Sequence, residues 1–458
     1  MQLEINVDLD LVRKYDRPGP RYTSYPTAPH FSEAFEPADW ERHIADNNRS
    51  PERPVSLYFH IPFCDTLCWF CGCTVVIQRR REPITKYVES LFREIELYAS
   101  RVHPDREVVQ IHFGGGTPTH LTPSEIRAVG RKIHESFNVA GDAEISCEMD
   151  PRGLTLDHLQ ALRDAGFNRA SLGIQDFNPA VQKAVNRIHD AEMIGDVLSN
   201  VRRVGFESIN LDLIYGLPHQ TVNSFDETIE TVLSLAPDRL AVFSYAHVPW
   251  MKPHQRLIKQ DDLPEPEDKL RMLKLIVETL TRRDYEYIGM DHFARIDDSL
   301  SIAQRNGTLQ RNFQGYSTRA GADIYALGMS SISQLPRCYA QHTKDLNAYY
   351  AAIEEGRLPI EKGVAVSDDD DLRRYVIMRL MCDMGLDYDA VSHDLGRDIR
   401  TYLADELINL DDFAEDGLIE MSDAGFEVTP AGRLMVRNIA MTFDAYLVEN
   451  NARYSRTV

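Results

Sequence analysis

From Val55 onward, short β-rich runs alternate with longer stretches of helical periodicity. The runs are VSLYFH (55–60), VVQIHFG (108–114), AEISCEM (143–149), RASLGIQ (169–175), SINLDLI (208–214) and RLAVFSYAHV (239–248), with later ones at 285–290 and 322–330. Helical patterns lie between them, as at 84–99 and 269–283. A strand roughly every 25 to 50 residues is the rhythm of repeated βα units. Several runs are nearly continuously apolar, which predicts parallel strands buried on both faces. The expected fold class is α/β, a TIM-like partial (βα) barrel. Several runs end in a polar residue or glycine: His60, Gly114, Glu148, Gln175 and Asp212. Any one is explained as a satisfied strand-end group. Together, at the C-terminal ends of parallel strands, they predict one site at the barrel mouth.

The pattern differs at both ends. Residues 1–54 read as an arm. Its segment RPGPRYTSYPTAPHF (17–31) is rich in proline, which resists helix and predicts an extended, irregular path. Tyr22, Tyr25 and Phe31 predict that the arm packs on the rest of the chain. The barrel is expected over 55–360. Past Pro359 the alternation stops, and 361–458 reads as a small, mostly helical domain. There Ser367 and Asp370 mark a helix start, and LIEMSDAGFEVTPAGRLMVRNIAM reads as a hairpin leading into a helix, a winged-helix-like end. The acids at 368–371 and at Glu406, Asp411, Asp412, Glu415 and Asp416 predict a structural module rather than a DNA reader.

Charge narrows the function. The chain of 458 residues has 50 Lys+Arg against 71 Asp+Glu, a net charge of −21. Such a surface repels phosphates, so no nucleic-acid partner is expected. No run approaches the ~18 apolar residues of a membrane span. Acids at Glu4, Asp8 and Asp10 and the lack of an apolar h-region predict a cytoplasmic location.

Cysteine spacing carries the chemistry. Of seven cysteines, Cys64, Cys68, Cys71 and Cys73 cluster directly after the first strand. Cys147, Cys338 and Cys382 are scattered and read as small buried hydrophobes. Cys64, Cys68 and Cys71 have the spacing C-x3-C-x2-C. A structural zinc site wants four ligands, usually as two pairs. A thioredoxin-type C-x-x-C leaves Cys64 and Cys73 unexplained, and the common ferredoxin spacings differ. Three thiolates on a compact loop suit a [4Fe–4S] cluster with one iron lacking a protein ligand, open to a substrate. Leu67, Trp69 and Phe70 would screen it from water.

This motif, with an aromatic before the third cysteine, resembles the radical S-adenosylmethionine (SAM) superfamily. The arm RPGPRYTSYPT and the runs CWFCGC, HFGGGTPTHL, EMDPR, LGIQDF, NRIH, NLDLIYGLPHQT, FSYAHVPW and RNFQGYST resemble one family within it, the oxygen-independent coproporphyrinogen III oxidases of haem synthesis. The resemblance covers nearly the whole chain; Thr74 departs from it where many relatives carry Asn. It implies that Cys64, Cys68 and Cys71 ligate the cluster and that SAM chelates the open iron. One electron then cleaves SAM to methionine and a 5′-deoxyadenosyl radical, which abstracts hydrogen from a C–H bond. It places this SAM against Tyr58, Gly115, Glu148 and Ile332, and a second SAM against Phe70, Gly116, Thr117, Gln175, Arg187, Asp212 and Ala246.

The implied substrate is coproporphyrinogen III. Two of its propionates lose hydrogen, CO2 and an electron to become vinyl groups, giving protoporphyrinogen IX. Anionic propionates call for arginine, and Arg17, Arg21 and Arg311 are candidates. A reductant and an electron acceptor are required and are not identified, and a monomer is expected. Cys73 and His60 are the candidate catalytic residues. Cys73 is either a functional thiol beside the radical path or loop packing; His60 either bonds near the cluster or sits in a satisfied turn. The rival within the superfamily is a haem-carrying relative without oxidase activity. Such relatives lack the arm and have an aromatic at the position of Cys73. A plain electron carrier or a redox-sensing DNA binder is the non-enzymatic rival, and the net charge opposes DNA binding.

Overall fold

The computed structural model describes residues 4–447 and Tyr454. The βα rhythm is realised in one twelve-stranded sheet. Its strands are β1 (Val55–Ile61), β2 (Glu107–Gly115), β3 (Asn138–Met149), β4 (Arg169–Gln175), β5 (Ser208–Tyr215) and β6 (Arg239–Ser244). They continue as β7 (Tyr285–Gly289), β8 (His292–Arg295), β9 (Asp323–Leu327), β10 (Ile332–Leu335), β11 (Cys338–His342) and β12 (Ile360–Ala365). Strands β1 to β6 lie side by side in chain order, all parallel. Strand β9 pairs parallel with the other edge of β1. Antiparallel strands extend both flanks, β8 and β7 beyond β6, and β10 to β12 beyond β9. The result is an open part-barrel of the expected class.

The strands are buried on both faces as the sequence predicts, but one of those faces is polar. Along β1, Val55, Leu57, Phe59 and Ile61 are fully buried, while Ser56, Tyr58 and His60 take the other face, as the two-residue period of a strand requires. Register stacks these alternate positions into polar layers. Ser56 lies beside Gln110 and Gln110 beside Glu144; Tyr58 lies beside His112 and His112 beside Ser146. The lowest layer is closed by its own bonds. The Ser56 hydroxyl and the Gln110 amide donate in turn to Gln110 and Glu144, at 3.1 and 3.0 Å, and Arg169 Nε pairs with Glu144 at 2.7 Å. A TIM barrel normally fills its interior with branched aliphatics; this one holds a polar lumen.

Other differences are local. The run expected over 239–248 leaves the sheet after Ser244, and the run at 322–330 ends at Leu327. Strand β12 pairs with β11, so the sheet extends through the 360/361 boundary read from the sequence. The arm contains two helices, Leu9–Tyr15 and Pro37–Asn47, that its proline content obscures. Between them the path is irregular, and Tyr22 and Tyr25 are buried at 1% and 0% exposure. The Tyr22 hydroxyl donates to Asp444 at 2.9 Å and the Tyr25 hydroxyl accepts from the Ala445 N–H at 3.0 Å. The arm is thus pinned against the C-terminal part.

There, Ser367 caps the helix Asp368–Asp383 through a reciprocal bond with Asp370. The hairpin Ile419–Met421 and Gly425–Val428 forms, and Gly385–Asp387 joins it as a third strand. The helix expected after it is broken into a 3-10 turn at Gly432–Met435, an α-turn at Val436–Ala440 and a second 3-10 turn at Met441–Phe443. Among the described residues no helix is long and apolar enough to cross a membrane.

Asp323, at the start of β9, closes the lower end of the barrel. It is 3% exposed and accepts from Arg53 Nη2 at 2.8 Å and from the fully buried Arg106, whose Nη1 also donates to Tyr325 at 2.9 Å. Asp323→Ala leaves that guanidinium without its charge partner and is expected to cost about 3–5 kcal/mol. Urea unfolding followed by circular dichroism measures it.

Candidate active site

The cysteine loop leaves β1 and returns beside it. Phe63–Cys64 pairs parallel with Val76–Ile77, closed by Val76 N–H to Pro62 O at 2.8 Å and Gln78 N–H to Cys64 O at 3.0 Å. Neighbouring loops then hold its backbone carbonyls. Asn186 Nδ2 donates to Leu67 O, Gln255 Nε2 to Phe70 O, and His254 Nε2–H to Cys71 O, at 2.8, 3.0 and 2.8 Å. Lys252 Nζ donates to Cys73 O at 3.0 Å. Trp69 and Phe70 pack on Val181, Val185, Leu217, Tyr245 and Ile258. The loop is therefore preorganised by bonds to its backbone, which leaves its side chains available.

His60 secures the loop from below. Its Nε2–H donates to Thr74 O at 3.0 Å, and Nδ1 accepts from the Tyr58 hydroxyl at 3.2 Å. Burial lowers its pKa and keeps it neutral. Because the Thr74 partner is a carbonyl, Thr in place of Asn leaves this bond unchanged. Two glycines at the end of β2 then fit where side chains cannot. Gly115 has φ +114°, and a Cβ there would lie 2.6 Å from the His60 ring; one on Gly116 would lie 2.6 Å from Pro62 O. Gly116 N–H donates to Ile61 O at 2.8 Å.

A cavity of about 170 Å³ opens above these glycines. Cys64, Cys68, Cys71 and Cys73 form one wall, with Phe70; Gly115, Gly116 and Thr117 form the base. Glu148, Gln175, Arg187 and Asp212 face them from the strand ends. Tyr58 and His60 support this wall from outside it. Ala246 is an exposed loop residue whose carbonyl accepts from Gln255 at 3.3 Å. Ile332 opens β10 and packs on Phe31, Tyr339 and Val366. Neither lines the cavity.

The charges are arranged in opposed pairs. Arg152 and Arg187 both reach the Cys68 sulfur, at 3.6 and 3.5 Å, and both pair with Asp150. Burial pushes the Cys64 thiol up to about 11. A hydrogen bond from the Cys73 thiol lowers the pKa of Cys71, and the same bond raises that of Cys73. Burial acts to raise Glu148, but the His112 N–H, at 3.3 Å, and the Gly115 N–H, at 3.2 Å, hold it below the usual carboxylate range. Asp212 goes the other way, pushed up to about 7 by burial and by Glu148, against the opposing bond from Asn210. Gln175 adopts φ +72°, and its buried Oε1 has no hydrogen-bond partner.

These features fit an iron–sulfur cluster with a polar ligand beside it. The thiols line one wall, two guanidiniums offset thiolate charge, and Gln175 of the same lining has an amide oxygen without a hydrogen-bond partner. Among the described residues no three His, Cys, Asp or Glu side chains converge on a point suited to a single metal ion.

A second polar region lies beyond the end of β5, against Tyr215 and the helix that carries Leu273 and Ile276. Arg21 of the arm, Arg311 and Arg437 of the C-terminal part approach one another near Tyr215 and Tyr287. Arg311, 4% exposed, donates to the Arg21 carbonyl from Nε and Nη2 at 3.4 and 3.3 Å and lies 4.8 Å over the Tyr316 ring. Its buried Nη1 has no hydrogen-bond partner. Burial and the charges of Arg311 and Arg437 lower Arg21 to about 9, although it pairs with Asp291. Burial and Arg311 lower Arg437 to about 10. The positive charge concentrated here calls for an anion. Arg17 remains on the exposed arm.

Sequence reasoning missed Asp150, Arg152, His112 and Arg437. Asp150 and Arg152 lie in the EMDPR run just beyond Glu148, and His112 lies two residues before Gly114 on the lumen face, so strand periodicity carried a signal for all three. Arg437 had none; only the packing of the C-terminal part brings it beside Tyr215.

Comparison with known proteins agrees with this geometry. The Radical SAM superfamily model matches residues 58–232 and the HemN C-terminal domain model matches 366–435. The oxygen-independent coproporphyrinogen III oxidase of Salmonella typhimurium is 47% identical over 97% of this chain and 96% of its own. The Pseudomonas aeruginosa protein of the same name is 45% identical over 99% of both chains. The solved structure of the Escherichia coli coproporphyrinogen III oxidase HemN, described as a radical SAM enzyme, superposes with a TM-score of 0.92 at 46% identity, covering 97% of this chain and 100% of that one. With the cysteine loop, the lumen and the C-terminal part all matched in a single chain, this protein belongs to the oxygen-independent coproporphyrinogen III oxidase family of the radical SAM superfamily.

Proposed function

We propose that this chain converts two propionates of coproporphyrinogen III to vinyl groups without oxygen, giving protoporphyrinogen IX. The observation that carries this reading is the thiol-walled cavity at the C-terminal strand ends, lined by Glu148, Gln175, Arg187 and Asp212, with arginines gathered nearby around Tyr215, the last residue of β5. Cys64, Cys68 and Cys71 would hold a [4Fe–4S] cluster, which together with SAM would supply the radical chemistry needed to remove hydrogen from a propionate. The chain's own residues bind, orient and shield.

Ionised Glu148 suits an ammonium or ribose hydroxyl, and the Gln175 oxygen accepts a further donor. Phe70 offers a face to an adenine ring, and Arg187 a cation for a carboxylate. Asp212, protonated below about pH 7, can donate as well as accept. These groups, with Gly116 and Thr117, have the chemistry for a second SAM beside the first. Ala246 and Ile332, outside the cavity wall, would have to reach the cofactors by contacts from its rim. His60 acts as a positioning residue beneath Tyr58 and Gly115. Cys73, on the cavity wall, is the functional thiol near the radical path. Arg21, Arg311 and Arg437 would hold the propionates. Because the whole constellation lies within one chain, the enzyme is proposed to act as a monomer, and in the cytoplasm, with a separate reductant and electron acceptor.

The direct test is anaerobic. Protein reconstituted with iron and sulfide, reduced and given SAM and coproporphyrinogen III is expected to yield 5′-deoxyadenosine and vinyl porphyrinogen by mass spectrometry. Deoxyadenosine without vinyl product would favour the haem-carrying relative or another substrate. Cys73→Ser is expected to keep iron content and the cluster's electron paramagnetic resonance signal while losing turnover; full turnover would return Cys73 to loop packing. Arg311→Gln should raise KM for the porphyrinogen about 10- to 100-fold, the range of a lost charge-assisted bond, with SAM affinity unchanged. Arg311→Lys should recover only part, since the planar fork is lost.

A further inference from the structure

Two polar groups that line the thiol-walled cavity, Gln175 and Arg187, come from different segments of the chain. Strand β4 shifts register against β5 between Gly173 and Gln175, and Gln175 takes φ +72°. A residue with a side chain enters that conformation only at a cost, and it persists where the surroundings impose it. The turn brings the Gln175 amide back over Gly173. A Cβ on Gly173 would lie 2.7 Å from Gln175 Nε2 and 3.1 Å from Arg187 Nη2. The amide and the guanidinium therefore stand beside one another over the same glycine. Arg187 is anchored there by its Nε, which donates to the Gly173 carbonyl at 3.1 Å, and by its Nη1, which donates to Asp150 at 3.1 Å.

A buried web behind the strand end holds both groups, and Gln182 is its centre. Gln182 lies on the short helix Pro179–Ala184 and is buried. Its Nε2 donates at 3.0 Å to the carbonyl of Asp176, the residue after Gln175. Its Oε1 accepts from the His189 N–H at 3.1 Å, and its own carbonyl accepts from the Arg187 N–H at 2.9 Å. His189 in turn donates from Nε2 to the Ile174 carbonyl at 2.9 Å. The buried Asp176 carboxylate accepts from Gln220 Nε2 at 2.6 Å and from the Asn178 N–H at 2.5 Å. Gln220 is fixed by two further bonds at 2.8 Å, from Nε2 to Ile214 O and to Oε1 from the Leu217 N–H. Asp176, Gln182, His189 and Gln220 are not part of the cavity lining. They act on it only through the backbone that carries Gln175 and Arg187.

We infer that Gln182 is the positioning residue that sets Gln175 against Arg187, and that the pair selects a ligand carrying a carboxylate next to a hydrogen-bond donor. The inference rests on the proposed function, where that ligand is the second SAM, whose amino-acid end carries both groups. Arg187 supplies the charge-assisted bond to the carboxylate. Gln175 Oε1, buried and with no hydrogen-bond partner among the described residues, accepts from the donor. The Gln182 amide cannot flip, because it meets a carbonyl on one side and an N–H on the other. One side chain thus fixes the strand end and the segment of Arg187 at a single separation. Without it the cost of the positive φ at Gln175 is no longer opposed, and the amide is free to leave the guanidinium.

The experiment uses the full-length chain with its cluster reconstituted anaerobically. Equilibrium dialysis counts bound SAM, and the cluster's electron paramagnetic resonance signal reports the SAM at the open iron. The wild type is expected to bind two. Gln182→Met, close in volume but unable to make either side-chain bond, should weaken one of the two sites about tenfold, the range of one or two neutral hydrogen bonds. SAM should still shift its cluster signal as in the wild type. Gln182→Glu keeps an acceptor for His189 and loses the donor to Asp176. It should show a smaller loss at the same site, and it carries the test where the Met variant does not fold. Added to Arg187→Gln, Gln182→Met should cost much less than it does alone, because it acts through that guanidinium. Unchanged binding in both Gln182 variants, equal weakening of both sites, an additive double variant, or a wild type that binds one SAM overturns the positioning role and leaves the oxidase reading standing. A wild-type cluster, intact but with a signal that SAM does not alter, overturns the proposed function and this inference with it.

Discussion

Strand alternation is the constraint on which the rest of the structure depends. Each parallel strand sends its apolar residues outward under the helices and its alternate residues into the lumen. On β1 the outward set is Val55, Leu57, Phe59 and Ile61, all fully buried. The inward set across the sheet is polar, and a polar lumen is stable only where its groups are satisfied. At the bottom they satisfy one another, through Ser56, Gln110, Glu144 and Arg169. At the top this closure fails: Gln175 keeps a buried oxygen without a partner, and Asp212 is held near its neutral form. The change from closed to open hydrogen bonding along one set of strands places the site at the mouth.

The mouth is completed by parts of the chain that belong to no barrel strand. The cysteine loop is fixed through its carbonyls by residues 186 and 252–255. The arm is held by Tyr22 and Tyr25 against residues 444 and 445, and that contact sets Arg21 beside Arg311 and near Arg437. Burial, and then the charges of Arg311 and Arg437, lower the pKa of Arg21, and burial with the charge of Arg311 lowers that of Arg437. Such crowding of like charge is costly, and the pair of Arg21 with Asp291 offsets part of it.

Much of this was legible along the chain where the relevant signal is local. The strands of the barrel follow from short-range patterning, and Arg169–Gln175 ends where the pattern predicts. The Ser367 cap follows from a three-residue spacing, and the thiol wall from C-x3-C-x2-C. The glycines at 115 and 116 were visible as a motif, but the need for them is set by His60 and Pro62 O, which approach from another strand. The helices of the arm were hidden by its prolines, and strand β10 by its brevity.

What the sequence by itself determined is the set of elements and the chemistry at their ends. Period, capping and cysteine spacing act over a few residues and are written in neighbouring positions. What only the tertiary structure decided is which of those ends meet: that His60 supports the loop instead of lining the cavity, that Ala246 and Ile332 stand outside the wall, and that Arg437 lies beside Tyr215 while Arg17 does not. These outcomes depend on strand register and on packing between segments hundreds of residues apart. No local pattern encodes them, because the energy that selects them exists only once the lumen and its two covering segments have come together.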